Sequence, residues 1–196
     1  MNIAKKLKIK VYTDGSCKPN PGPGGWGVVM SHPTSLEETL DKPVMLKWEH
    51  YGYKKISTNN EMELTAIIKA LELTPIGSDI HLTLDSHYVL QGIVKFDPKA
   101  PKEGTAMPLK SRRFGEHITI LYEGWLKNWI DNNWKTSQNK PVLNVELWRC
   151  IVTLCEHHIK NESNLTFYWA KSHSTNIGNN LADKLANKGR LSLCDR

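Results

Sequence analysis

The spacing of apolar and polar positions changes several times along the chain, and each change predicts an element. Residues 7–13, LKIKVYT, alternate in character, and a period of two predicts a half-buried strand. Residues 14–25, DGSCKPNPGPGG, hold the Gly and Pro that break regular structure, so a turn-rich loop is expected. WGVVM at 26–30 resumes a strand, and a third strand falls within 44–56, which together make an antiparallel meander. At Thr58-Asn59-Asn60 the period lengthens. Leu64, Ile67, Ile68 and Leu71 recur at helical spacing behind an Asn suited to the N-cap, and Pro75 and Gly77 end the helix. IHLTL at 80–84 predicts a fourth strand, and Tyr88 to Ile93 a short helix.

Residues 96–117 are the least regular stretch, with three prolines and three lysines, and predict an inserted surface loop. A helix is expected over about 118–132. Another is expected over about 143–160, with Trp148, Ile151, Val152, Cys155 and Ile159 on one face. LTFYWA at 165–170 predicts the fifth strand. A last helix covers about 176–188 and buries Ile177, Leu181 and Leu185. This order predicts an α/β fold. Its mixed five-stranded sheet has three antiparallel then two parallel strands and is flanked by helices.

With 196 residues, 39% of them hydrophobic, the chain reads as one globular domain over residues 1–196, with an inserted basic loop at about 94–118. Its formal charge of +6 suits a polyanionic partner, because Lys and Arg neutralise phosphates. Cys17, Cys150, Cys155 and Cys194 match no zinc or disulfide spacing and read as reduced thiols, the middle two in the core. No stretch has the length of a signal peptide, nor the roughly 20 apolar residues of a membrane span, so a cytoplasmic protein without a membrane partner is expected.

Four of the 20 acidic residues stand out by position. Asp14 and Asp85 each follow a predicted strand, Glu63 lies in the first turn of a helix beside core positions, and Asp183 sits among apolar residues of the last helix. Each alone has an ordinary explanation. Asp14 can form a turn, Glu63 can favour a helix start, Asp85 can cap a helix and Asp183 can pair with a Lys. Together near a core they would repel one another unless a cation joined them. Carboxylates without a His or Cys cluster suit Mg²⁺ or Mn²⁺, and two such ions about 4 Å apart suit phosphodiester cleavage.

The motifs then carry a resemblance. Thr13-Asp14-Gly15-Ser16-Cys17 with Asn20-Pro21-Gly22-Pro23-Gly24-Gly25, Thr58-Asn59-Asn60-Glu61-Met62-Glu63-Leu64, Asp85-Ser86-His87-Tyr88-Val89, Lys171-Ser172-His173 and Asn180-Leu181-Ala182-Asp183-Lys184-Leu185-Ala186 follow one another in order. Over most of residues 8–188 the chain resembles the bacterial type 1 ribonucleases H. That resemblance implies an endonuclease that hydrolyses the RNA strand of RNA–DNA hybrids with two Mg²⁺ ions, for which Mn²⁺ substitutes. The products would carry 5′-phosphate and 3′-hydroxyl ends. It implies that Asp14, Glu63, Asp85 and Asp183 hold the metals, Asp14 bridging both, and that His173 assists proton transfer or product release. A monomer is expected. So is the lack of a separate N-terminal hybrid-binding domain, since few residues precede the first strand.

The resemblance also implies substrate contacts. Cys17, Asn20, Asn59, Asn60 and His87 match positions along the minor groove of the hybrid, where 2′-hydroxyls mark the RNA strand. His87 replaces a Gln common in relatives. Thr58 and Asn144 match a pocket for a DNA-strand phosphate, and Ile56 stands where an Arg is often found, leaving that pocket weaker or served by Lys54 or Lys55. Trp125, Trp129 and Trp134 fall in a region that channels the DNA strand, although Trp125 and Trp129, four apart on a helix, equally fit a core; Trp148 reads as core. Residues 130–135, IDNNWK, carry little of the usual positive charge of that region. The insertion supplies Lys95, Lys99, Lys102, Lys110, Arg112 and Arg113. It is either a solvated loop or a replacement basic surface, and in the second case deleting 98–115 weakens hybrid binding and flattens its salt dependence. Two competing functions remain open: a non-catalytic hybrid-binding module, and an integrase, transposase or junction resolvase on the same fold. The opening loop and the Asn59-Asn60 pair favour hybrid recognition.

Overall fold

The computed structural model describes residues 6–33 and 45–192, so Cys194 and the first position of the third predicted strand lie outside the described residues. Three long strands, β1 (Lys8–Cys17), β2 (Gly22–Pro33) and β3 (Met45–Ser57), form the antiparallel meander. Helix α1 (Asn59–Leu73) then crosses to β4 (Asp79–Leu84), which pairs parallel to β1. Helix α2 (His87–Ile93), the insertion, α3 (Trp125–Asp131) and α4 (Val145–Lys160) lead to β8 (Asn164–Trp169), parallel to β4, and α5 (Ile177–Leu191) closes the chain. The five expected strands occur in the expected directions. The insertion adds β5 (Met107–Pro108) at the edge, giving the sheet order β3-β2-β1-β4-β8-β5.

Alternation along β1 explains the layering. Ile9 and Val11 face α1, while Tyr12 faces α5. On the first face, Leu64, Ile67 and Leu71 of α1 and Trp148, Ile151 and Cys155 of α4 complete one core with Ile80, Leu82, Leu165 and Phe167. Each large side chain fully removed from water there is worth about 1.5–3 kcal/mol. Cys150 is only half-buried at the margin of that core. On the second face, Ala182 and Leu185 of α5 pack against Val29.

Five local expectations are corrected. The loop expected over 14–25 shrinks to residues 18–21, because β1 runs on to Cys17 and pairs with a β2 that begins at Gly22. The N-cap of α1 is Thr58, whose side chain accepts from the Glu61 amide while Glu61 accepts from the Thr58 amide; a hydroxyl three residues before a Glu makes this reciprocal pair. The insertion is not wholly a loop, because β6 (Lys110–Phe114) and β7 (His117–Leu121) form a hairpin turned by Gly115 at φ +60°. The helix expected from 118 therefore starts only at Trp125, since Ile118 and Ile120 alternate with exposed residues at a period of two. Ile177 is 82% exposed: the buried stripe of α5 runs through Asn179, Ala182, Ala186 and Gly189, and a position two before Asn179 points the other way.

Candidate active site

Asp14 and Asp85 arrive side by side because their strands are parallel neighbours. Tyr12 pairs with Thr83, and each acid lies two positions further on. Glu63 comes from α1, which can approach β1 closely only because residue 15 has no side chain. A Cβ on Gly15 would sit 2.3 Å from the Glu63 amide nitrogen. One carboxylate oxygen from each of Asp14, Glu63 and Asp85 lies within 4.8 Å of the others. Asp183 approaches Asp14 from the opposite layer, on α5. It lines the same cleft of about 480 Å³ but is not within that spacing of all three. The seat of α5 is a close approach too. A Cβ on Gly27 of β2 would lie 2.2 Å from the Ala182 carbonyl oxygen, beside Asp183.

Crowding shows in the electrostatics. Burial, then the charges of Asp85 and Asp183, push the Asp14 carboxyl up to about 8, against a weaker opposing hydrogen bond from the Gly15 amide. Burial, then Asp14 and Asp85, raise Glu63 well above the usual carboxylate range. These acids have few donors to compensate them. Asp85 accepts from Ser172 Oγ at 2.8 Å and Asn179 Nδ2 at 3.4 Å, and Asn59 Nδ2 reaches Glu63 Oε1 at 3.5 Å. Asp183 Oδ1 accepts from Asn187 Nδ2 at 2.8 Å, and Asn187 Oδ1 in turn accepts from Ser16 Oγ at 2.9 Å. An all-oxygen set of repelling carboxylates fits a hard divalent cation, which removes the repulsion while being held by it.

Of the other expected residues, Cys17, Asn59, Asn60, His87 and His173 line the cleft. His173 is exposed and holds the left-handed backbone at φ +52°, a conformation uncommon for any residue other than glycine. The Cys17 thiol lies 3.2 Å from the Pro19 carbonyl and 3.3 Å from that of Ser57, tying the opening loop to the end of β3. Asn20 is exposed, and its Oδ1 accepts from the Asn59 amide. Thr58 and Asn144 are not among the described residues lining the cleft; each stands just before its helix, Asn144 in left-handed backbone. Lys54 forms an ion pair with Glu61 at 2.9 Å, beside an Ile56 that is 76% exposed.

Two of the tryptophans pack inward and also reach the surface. Trp125 and Trp129 pack against each other with tilted rings and reach Tyr88 and fully buried Trp148, while also lining a separate surface cavity of about 400 Å³. Trp134 lies under the Arg149 guanidinium. Three supporting residues were missed: Ser172, Asn179 and Asn187. Asn179 and Asn187 flank Asp183 at four-residue spacing, so one polar face of a helix was the available signal.

A sheet of this order with carboxylates gathered just past the pairing of β1 with β4 defines a fold class, and comparison with known proteins gives the family. The chain belongs to the RNase H family, whose model matches residues 6–190, and so to a class of nuclease hydrolases. It is 37% identical over 190 residues to the Ribonuclease H of Orientia tsutsugamushi, covering 97% of this chain and 86% of that one. Among solved structures, LC9-RNase H1, described as a type 1 RNase H with the type 2 active-site motif, matches at TM-score 0.68 and 19% identity over 96% of this chain and 74% of that one. LC11-RNase H1 in complex with RNA/DNA hybrid matches at TM-score 0.53 and 20% identity over 95% of this chain and 99% of that one. Among the described residues no helix is long and apolar enough to cross a membrane.

Proposed function

We propose that the protein is an endonuclease that cuts the RNA strand of RNA–DNA hybrids, with Asp14, Glu63, Asp85 and Asp183 holding two divalent ions, Mg²⁺ or Mn²⁺. The observation that carries this reading is the gathering of three carboxylates within 4.8 Å, two of them pushed toward neutrality by burial and then by the acids beside them. When bound, the ions supply activation of the attacking water and stabilisation of the leaving 3′ oxygen. The chain's residues supply the frame. Ser172 and Asn179 orient Asp85, Asn187 orients Asp183, and the rigid seat of α1 on β1 fixes Glu63. His173, at the cleft's exposed rim, relays a proton or helps the product leave. The resulting ends are a 5′-phosphate and a 3′-hydroxyl.

Cys17, Asn20, Asn59, Asn60 and His87 line the path of the minor groove, and Thr58, Asn144, Trp125, Trp129 and Trp134 contact the DNA strand. The protein acts as a cytoplasmic monomer, which sedimentation at working concentration checks. The decisive experiment offers end-labelled hybrid, duplex DNA and duplex RNA with Mg²⁺ and again with a chelator. Cleavage of the hybrid's RNA strand alone, abolished by chelation, is expected. Binding without cutting would leave only a hybrid-binding module, and cutting of duplex DNA would point to another nuclease on the same fold.

A further inference from the structure

The insertion divides into two parts with different surroundings. Its hairpin starts at the end of the sheet away from the carboxylates: β5 runs antiparallel to β8, the Leu109 amide donates to the Leu165 carbonyl, and Ser111 of β6 shares a cleft with Asp79 and Asn164. Arg112 and Arg113 belong to that hairpin. The earlier part, residues 96–104, does the opposite and reaches the rim of the cleft. Phe96 packs edge-on against His87 with ring centres 5.1 Å apart, and the Gly104 amide donates to the Trp169 carbonyl at 3.3 Å. Gly104 holds φ +73°, a turn that brings the preceding Glu103 alongside the segment after β8. Glu103 Oε1 there accepts from the Lys171 amide at 3.3 Å and from Ser174 Oγ at 3.4 Å.

Those two donors bracket Ser172 and His173. Ser172 binds Asp85, and the Ser174 carbonyl accepts from Asn180 Nδ2 of α5 at 2.7 Å. Both ends of the short turn are thus anchored to one oxygen of the insertion, while His173, one of the two residues between them, holds left-handed backbone at the mouth of the cleft. A turn with an exposed, left-handed residue has little burial of its own to order it, so a charge-assisted pair of hydrogen bonds weighs heavily there.

We propose that Glu103 is a positioning residue: the insertion braces the 171–174 turn and thereby sets the place of His173 and of the Ser172–Asp85 hydrogen bond. This rests on the nuclease reading for its catalytic consequence, but the brace itself is measurable without metal or substrate. The test compares the full chain with Glu103→Ala, Glu103→Gln and, as a control on the hairpin turn, Glu116→Ala. Amide exchange at Lys171 is read by NMR in metal-free protein, and kcat and KM are read on a hybrid.

Glu103→Ala is expected to speed Lys171 exchange and to lower kcat by about threefold to tenfold with KM unchanged, because what is lost is order rather than a substrate contact. Glu103→Gln keeps an acceptor oxygen without the charge and is expected to restore both in part, and Glu116→Ala to change neither. Unaltered Lys171 exchange in Glu103→Ala overturns the brace. Faster exchange with normal kcat overturns its role in positioning, as does failure of the Gln variant to rescue. If the wild-type chain cuts no hybrid, the nuclease reading fails while the exchange data still judge the brace.

Discussion

Two buried polar clusters sit at opposite ends of the sheet, and they are built on opposite principles. Below the strands, His158 is 1% exposed and fully partnered. Its Nε2 donates to the Leu71 carbonyl at 2.9 Å, its Nδ1 accepts from Ser163 Oγ at 3.1 Å, and that same oxygen accepts from the Gly77 amide. Above them, Asp14 and Glu63 are also buried, yet the ionisable groups that act on them most strongly are other acids. The first cluster ties α1, α4 and β8 together and is stable as it stands. The second is destabilising until something positive enters. Satisfaction marks a joint of the fold, whereas shared frustration marks a place kept ready for a ligand.

The largest expected break of this contrast is Asp14→Asn. Single-turnover cleavage should fall by about a thousandfold or more, while denaturant melts of metal-free protein should show unchanged or greater stability. The lower cluster should do the reverse. His158→Ala is expected to cost about 2–4 kcal/mol in denaturant melts, since it leaves a cavity and strands the Leu71 carbonyl, and to leave kcat/KM on a hybrid intact.

The pH dependence of metal-free stability sharpens the comparison, because the signs differ. The folded carboxyls of Asp14 and Glu63 are raised, so the folded state holds protons that the unfolded chain releases above about pH 4. The Asp14 contribution improves as pH falls from about 8 toward 4, and that of Glu63 has the same sign. Burial lowers the His158 ring, so the unfolded chain takes up that proton first and stability is lost as pH drops below about 6.5. Melts across pH 4–8 should therefore show a gain on acidification that Asp14→Asn reduces and a loss that His158→Ala removes. The smallest effect is expected from Asn187→Ala, which frees Asp183 without deleting it. A loss of about threefold to tenfold in kcat is predicted, measured at saturating hybrid and Mg²⁺.

Periodicity carried most of the scaffold into view. The apolar alternation before Asp14 and before Asp85 was readable, and the sheet's directions follow from it. What local pattern could not reveal was contact between distant segments. Nothing in KEG at 102–104 points to the turn after β8, and nothing in Gly27 names its neighbour on α5. Of the hairpin, β6 was obscured because all its residues are exposed, which erases the in–out signal that marks a strand against a core, whereas the alternation through Ile118 and Ile120 in β7 was there to be read. Ser172 and Asn179 were hidden because the acid they serve, Asp85, lies far away in sequence, whereas Asn187, one helical turn from Asp183, was there to be read.

The missing side chain at Gly27 leaves no cushion between a helix and the strand beneath it. Softer layers elsewhere can absorb an added methyl by shifting rotamers, but backbone resting on backbone behaves as a hard stop. Any enlargement there must lift the whole rod and carry Asp183 off with it, so the tolerance of the carboxylate cluster is set by an atom that the chain never had.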